Sequence, residues 1–362
     1  MKYIVQIFTG NYDAPLYTAE QILARLDHVT AQIAVEKLII GWYPDRELYR
    51  TVGAYLHGKG IEMLLWLPVF SETGEFVPME PAVDVWGRRI EPPTVQEGES
   101  FSFCCPSSPQ NLAAVKAVYE RHFADCGFDG VFLDRIRTHS FVGGVQGVLS
   151  CGCAHCRERF AAQGVSLEEV AEAYAQRQGR LFDAKTVSPD TGIVFENALF
   201  ERFSAAKATV IADSVDELCR FFHGKGMRVG LDLYAPLISV FVGQGYPLLA
   251  RSADFIKPML YRRTDAPAGI GYEYRLVPEA QGYPSFSWDT AFLEAQLRAL
   301  EALPCAVYPG IEINYRADIA PTDEAYVRES LEAVAQSGLD GAVLSWDMMQ
   351  APDEHIRATK EL

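Results

Sequence analysis

Residues 109–136 read PQNLAAVKAVYERHFADCGFDGVFLDRI. The first half places Leu112, Val115, Tyr119 and Phe123 at the three-and-four spacing of one helical face. Gly127 is a helix stop. After it, GVFLDRI at 130–136 is a continuous apolar run, the pattern of a strand buried on both faces. A helix, a glycine and a doubly buried strand make one unit of an α/β fold.

Seven more runs of this kind follow the same alternation: 3–9 (YIVQIFT), 37–43 (KLIIGWY), 61–69 (IEMLLWLPV), 227–234 (MRVGLDLY), 254–261 (DFIKPMLY), 306–313 (AVYPGIEI) and 341–348 (GAVLSWDM). Helical patterns lie between them at 19–34, 195–223, 288–303 and 322–337. The first carries Ile22, Leu23, Leu26, Val29 and Ile33 on one stripe, opened by a Thr18/Gln21 capping box. Eight strand-then-helix units predict a TIM (β/α)8 barrel. A doubly wound sheet would show a glycine-rich phosphate turn after an early strand, but the first strand runs into TGNYDAPLY. One barrel domain over 1–362 is expected, with no accessory domain after the last strand. Two connections, 70–108 and 138–194, are too long for simple βα loops. They are the β3α3 and β4α4 loops, on the face where barrel active sites form. The second reads as an inserted loop/helix subdomain with one small helix at 166–178, opened by a Ser166/Glu169 capping box.

The 362 residues carry 32 Lys+Arg against 48 Asp+Glu, a net charge of −16. With no basic cluster to offset it, that charge repels a phosphate backbone, so nucleic acid is excluded as a partner. No apolar run reaches the ~20 residues of a membrane helix. MKYIVQIFTG lacks the apolar core and cleavage site of a signal peptide, so a cytoplasmic location is expected. A homo-oligomer is left open.

Six of the eight cysteines fall between 104 and 156. Cys151-Gly-Cys153-Ala-His-Cys156 supplies three thiols, and Cys105 a fourth from the other long loop. Four thiolates from two separated points predict a closed, structural zinc site pinning the two loops together. Cys104 competes as fourth ligand, and His155 more weakly. An iron–sulfur cluster, or a set of buried or disulfide-bonded cysteines, are the alternatives.

These residues carry a resemblance. Cys105-Pro-Ser-Ser-Pro109, the Cys151/Cys153/Cys156 loop, the Arg157-Glu-Arg-Phe160 that follows it and the helix bearing Phe200, Phe203 and Phe221 resemble the zinc-binding region of glycoside hydrolase family 42, the zinc-bearing β-galactosidases. The likeness covers roughly residues 100–223. Two features depart from it: the family's fourth strand ends in Asn-Glu where this one has Leu133-Asp134-Arg135, and the family's C-terminal domains have no counterpart. DGVFLDRIR looks more like a set of uncharacterised glycosidase-like barrels with the same CxCxxC loop. The resemblance implies a zinc-bearing glycosidase barrel.

Four carboxylates stand at strand ends: Asp134, Asp232, Glu312 and Asp347. Glycoside hydrolysis needs a protonated carboxyl for the leaving oxygen and an ionised one as nucleophile or base. The resemblance implies a retaining enzyme with Asp134 as acid/base and Glu312 as nucleophile. Barrels acting on α-linkages suggest a second arrangement, with Asp134 as nucleophile and Glu312 or Asp232 as acid. Structural roles compete: Arg135 or Arg137 pairing with Asp134, a salt bridge from Glu312 to Arg316 or Lys257, and capping by Asp232 and Asp347. Trp42, Trp66, Tyr234, Tyr261, Tyr315 and Trp346 lie near strand ends, where flat rings suit the C–H faces of a small carbohydrate substrate. Lys257 and Arg137 would bind hydroxyls or a sugar carboxylate, and Asp232 and Asp347 are further substrate-binding candidates. Catalytic metal, serine-nucleophile and P-loop signatures are absent. The competing functions are a non-catalytic carbohydrate-binding barrel, and a different barrel hydrolase or a lyase using a second metal or an unpaired Lys257.

Overall fold

The computed structural model describes residues 1–71, 78–91 and 102–360. The connection expected at 70–108 lies partly outside them. The eight apolar runs form a closed parallel barrel from β1 (Tyr3–Phe8), β2 (Val35–Gly41), β3 (Glu62–Pro68), β4 (Gly130–Asp134), β7 (Arg228–Tyr234), β8 (Phe255–Met259), β9 and β10 (Ala306–Val307 and Gly310–Glu312) and β11 (Ala342–Ser345). β11 pairs with β1, and β10 pairs with both β11 and β8, which closes the ring. The seventh stave was expected as one strand over 306–313, but it is two. Pro309 has no N–H to give the ladder, so regular pairing breaks there, while its carbonyl still accepts from Val343 N at 2.9 Å.

Alternation sorts the side chains. Ile4, Ile39, Leu64, Phe132, Phe255, Tyr308 and Val343 pack together as a cluster inside the barrel, while their sequence neighbours join the larger core under the helices. Two strand glycines make room inside the barrel. A Cβ on Gly230 would meet the Phe255 ring at 2.1 Å, and one on Gly310 would meet Lys257 Cε at 2.5 Å. At the opposite rim an aspartate just before a strand caps the preceding stave three times. Asp129 accepts from Met63 N, Asp254 from Val229 N and Asp340 from Val307 N, at 2.8, 2.7 and 2.9 Å. Each satisfies a strand-end N–H that would otherwise be unpaired.

The expected helices appear as Ala19–Thr30, Pro109–His122, Leu167–Arg177, Ala198–His223, Thr290–Arg298 and Glu324–Gln336. The Thr18/Gln21 capping box forms in full. At the other expected box Ser166 caps Glu169 N, but its hydroxyl turns to Glu168. The helix Arg46–Gly58 went unread in the sequence, although Asp45 caps it.

The segment 138–194 is richer than a loop with one helix. It also holds helices Gly144–Val148 and Ala154–Ala162, and an antiparallel hairpin of β5 (Ala184–Ser188) and β6 (Gly192–Phe195). The hairpin signal was present in Pro189-Asp-Thr-Gly192, a turn whose glycine has φ +81°. Among the described residues no helix is long and apolar enough to cross a membrane.

Candidate active site and cysteine cluster

β4 and β7 run in register, Leu133 opposite Leu231, so Asp134 and Asp232 come next, side by side on adjacent staves. Parallel neighbours point to the same face, about 4.8 Å apart. Their surroundings differ. Asp134 is partly exposed and accepts from Trp66 Nε1 at 2.9 Å and from Arg135 N at 2.5 Å. Arg135 makes that second bond from φ +53°, a left-handed conformation that costs a non-glycine residue energy. Its guanidinium lies 4.9 Å from the Trp42 ring centre and bonds Ser71.

Asp232 is 3% exposed. Its Oδ2 accepts from Lys257 Nζ at 3.1 Å, and its Oδ1 is buried without a hydrogen bond. Burial pushes Asp232 up to about 7. The Lys257 and Arg137 charges oppose that rise, and the neighbouring Asp134 charge adds to it. Lys257 also donates to Tyr261 OH at 2.7 Å. Burial alone would lower its ammonium, but Asp232 and Tyr261 outweigh that and hold it above the ordinary lysine range. Lys257 is therefore a paired cation, not the free amine that a lyase would use.

The Arg137 guanidinium is clamped between the rings of Phe103 and Tyr234, 4.4 Å from each centre. Tyr234 OH donates to Glu273 Oε1 at 2.8 Å. Glu273 is buried, and burial raises it above the usual carboxylate range. It arrives on the short helix Ile270–Arg275, in a long loop with no periodic pattern, so the sequence reading missed it. Trp42 and Trp66 meet edge to face with centres 5.9 Å apart, and Phe8 and Tyr12 pack on Trp42. Trp346 lies beside Tyr261, ring centres 6.0 Å apart.

Two of the four carboxylates stand apart from this network. Glu312 is fully buried, and its Oε1 accepts from Arg263 N at 2.6 Å. Burial pushes it up to about 7 against the Arg263 N–H, Tyr326 and Arg262. Neither Arg316 nor Lys257 pairs with it: Arg316 binds Asp318, and Lys257 binds Asp232. Asp347 accepts from Tyr17 OH at 3.0 Å and from Met349 N at 3.1 Å, which closes the turn after β11. Burial raises Asp347 to about 6. Tyr315 is 53% exposed.

The sulfurs of Cys105, Cys151, Cys153 and Cys156 all lie within 4.8 Å of one another. Cys105 Sγ is 3.2 Å from Cys153 Sγ and 3.6 Å from Cys156 Sγ. The two adjacent thiols at 104 and 105 are thereby told apart: Cys104 turns to the Met79 sulfur at 3.8 Å. His155 faces Glu80, 3.5 Å away. Every cysteine is a free thiol. Buried Lys207 neighbours Cys151 and Cys156, and bonds Thr138 Oγ1, Val148 O and Phe241 O. Burial lowers it to about 7.

The barrel has solved counterparts. The glycoside hydrolase domain of PgaB (BpsB) from Bordetella bronchiseptica is similar over 99% of this chain and 98% of its own, with 15% identity and a TM-score of 0.62. Alpha-L-fucosidase isoenzyme 2 from Paenibacillus thiaminolyticus is 12% identical with a TM-score of 0.52. It matches 99% of this chain, which spans about half (48%) of the fucosidase chain. At these identities the likeness shows the TIM-barrel fold. No family model and no curated protein sequence matches the chain, so membership of family 42 has no support there.

Proposed function

We propose that the protein is a glycoside hydrolase whose reacting pair is Asp134 and Asp232. One observation carries the reading: two neighbouring strand-end carboxyls are held in contrasting ways. Environments that separate a pair of carboxyls in this way assign an acid and its partner. Asp232, pushed up to about 7, keeps a proton into the neutral range and donates it to the leaving oxygen. Asp134, its oxygens aligned by Trp66 and Arg135 N–H, faces the sugar as the nucleophile. Adjacent strands favour the retaining separation of about 5–5.5 Å over the wider inverting one. The tryptophans and Tyr261 offer ring faces to a small carbohydrate, and Arg137 offers a fixed guanidinium. The glycosidase names of both solved barrels agree with this reading. The family-42 pairing of Asp134 with Glu312 has less behind it, because Glu312 is sealed behind Arg263 and Tyr326.

The four-sulfur set suits zinc. With Zn–S bonds of about 2.3 Å a tetrahedron has S···S edges of about 3.8 Å, close to the separations seen here. Four protein ligands leave no open position, so the ion would hold the loop bearing Cys105 against the 138–194 segment and supply no chemistry. Lys207 is a buried cation suited to the excess negative charge of four thiolates. Reduced thiols of this kind agree with a cytoplasmic location.

The test is turnover of aryl glycosides of both anomers by Asp134→Asn and Asp232→Asn. Each is expected to lose at least ~10²–10³-fold in kcat while the circular dichroism spectrum shows the fold retained. Near-full turnover in either variant overturns the pair. A wild-type protein that binds sugars without cleaving them would instead be a carbohydrate-binding barrel.

A further inference from the structure

Beside the barrel mouth, the long connection after β8 folds round a hollow of about 540 Å³. Its walls include Arg262, Arg263, Tyr272, Tyr274, Arg275 and Trp288. None of the proposed reacting or sugar-facing residues lines it. The helix Ile270–Arg275 separates the two places. Glu273 turns toward Tyr234 in the mouth, while Tyr272, Tyr274 and Arg275 line the hollow. Gly271 lets the Trp288 indole lie against this helix, since a Cβ there would come within 2.9 Å of Trp288 Nε1. The Trp288 ring in turn packs against Tyr274, centres 5.7 Å apart.

The charges of the hollow are three guanidinium groups, Arg262, Arg263 and Arg275, against the carboxylates of Asp265 and exposed Glu279, and they are unequally committed. Arg275 pairs with Asp265. Arg262 is used by Trp288 O and Ser330 Oγ, and lies 3.7 Å from Glu329. Arg263 is exposed, with its guanidinium 5.3 Å from the Tyr326 ring centre, and among the described residues no carboxylate pairs with it. Its backbone is fixed from behind, because its N–H donates to Glu312. Thr264 Oγ1 is buried in the same wall with no hydrogen bond. In a chain of net charge −16, an exposed guanidinium on a fixed backbone, beside aromatic rings and paired with no carboxylate among the described residues, is a recognition element for an anion.

We infer that this hollow is a second sugar-binding site, specific for an acidic sugar unit whose carboxylate pairs with Arg263. The inference rests on the glycosidase reading, and places this unit on the same glycan that enters the mouth. The volume falls within the ~300–1,000 Å³ of small-ligand pockets. Aromatic faces take the C–H surface of a pyranose ring, and the guanidinium forks onto its carboxylate.

The experiment measures calorimetric binding of tetragalacturonate and of neutral cellotetraose to full-length Asp134→Asn protein, with and without Arg263→Gln. Tetragalacturonate is expected to bind more tightly than cellotetraose, and Arg263→Gln to weaken it about tenfold while cellotetraose is unaffected. Arg263→Lys should restore part of the loss. Equal affinity for the two tetramers, or an Arg263→Gln protein that binds tetragalacturonate as before, overturns the inference. Turnover of aryl glycosides by wild type is read separately. Cleavage without Arg263-dependent binding removes this site alone, and Arg263-dependent binding without cleavage removes the hydrolase reading alone.

Discussion

Asp232 and Glu312 are both buried carboxyls pushed up to about 7, yet only their neighbours distinguish their roles. Asp232 faces Lys257 and Asp134, whereas Glu312 is held by Arg263 N. Two outcomes follow at this scale. Lys257 holds Asp232 down, so Lys257→Met should raise Asp232 further. The alkaline limb of the kcat/KM profile, which reports loss of the Asp232 proton, should then move to higher pH. A limb that stays in place or moves down would show that Asp232 is not the acid. Glu312→Gln keeps an oxygen for Arg263 N–H and should change kcat less than about threefold, because removing a group outside the reaction leaves the barrier intact. A 100-fold loss would restore Glu312 to the chemistry. The sequence named all four carboxylates because a charge at the end of an apolar strand is conspicuous. It put Asp134 and Glu312 first without sight of the contacts with Arg263, Tyr326 and Lys257, which only the fold creates. Arg135 carried no signal of its left-handed backbone, and Glu273 none of its burial.

Among the elements, local rules were read well where they act within a few residues. The Thr18 box and the Ser166 cap each depend on neighbours in the chain, whereas the helix before Gly127 already ends at His122. The Asp45 cap, the Pro189–Gly192 turn and the break at Pro309 were equally local, and were passed over. The aspartates at the lower rim are different, since each caps a strand that is distant in sequence. Asp254 accepts from both Val229 N and His223, so Asp254→Ala should cost about 1–3 kcal/mol in denaturant unfolding, by leaving a strand N–H unpaired. An unchanged midpoint would mean that water replaces the carboxylate freely. The cysteine cluster belongs to this scale too, because it joins two loops. Purified protein should carry one zinc per chain by metal analysis. Cys153→Ser should lose it, lower the melting temperature and open the 138–194 segment to proteolysis. Wild-type protein free of zinc would refute the assignment.

At the scale of the whole molecule, burial raises four carboxyls among the described residues: Asp232 and Glu312 to about 7, Asp347 to about 6, and Glu273 in the same direction. Unfolded, each would titrate near its ordinary value of about 4, so between about pH 4 and 7 the native state binds more protons. Their contribution to stability is therefore whole below about pH 4 and is lost as pH rises to about 7. Buried Lys207 and His139, both lowered, act the other way in the total, so the test is the difference. The unfolding free energy of wild type relative to Glu312→Gln should fall between pH 5 and 8. A rise over that range would mean that Glu312 is ionised and well paired in the fold.

The amino-acid sequence by itself determined the barrel, its eight staves, the two long connections and the thiols able to meet. Each of these follows from short-range periodicity, from segment length, or from chemistry that only a few residue types can perform. The tertiary structure alone decided that Cys105 and not Cys104 joins the cluster, that Lys257 pairs with Asp232 while Arg263 N–H holds Glu312, and that an aromatic hollow forms after β8. Those outcomes depend on register between distant strands and on which buried charge meets which partner. Such energies exist only once the chain has closed and excluded water.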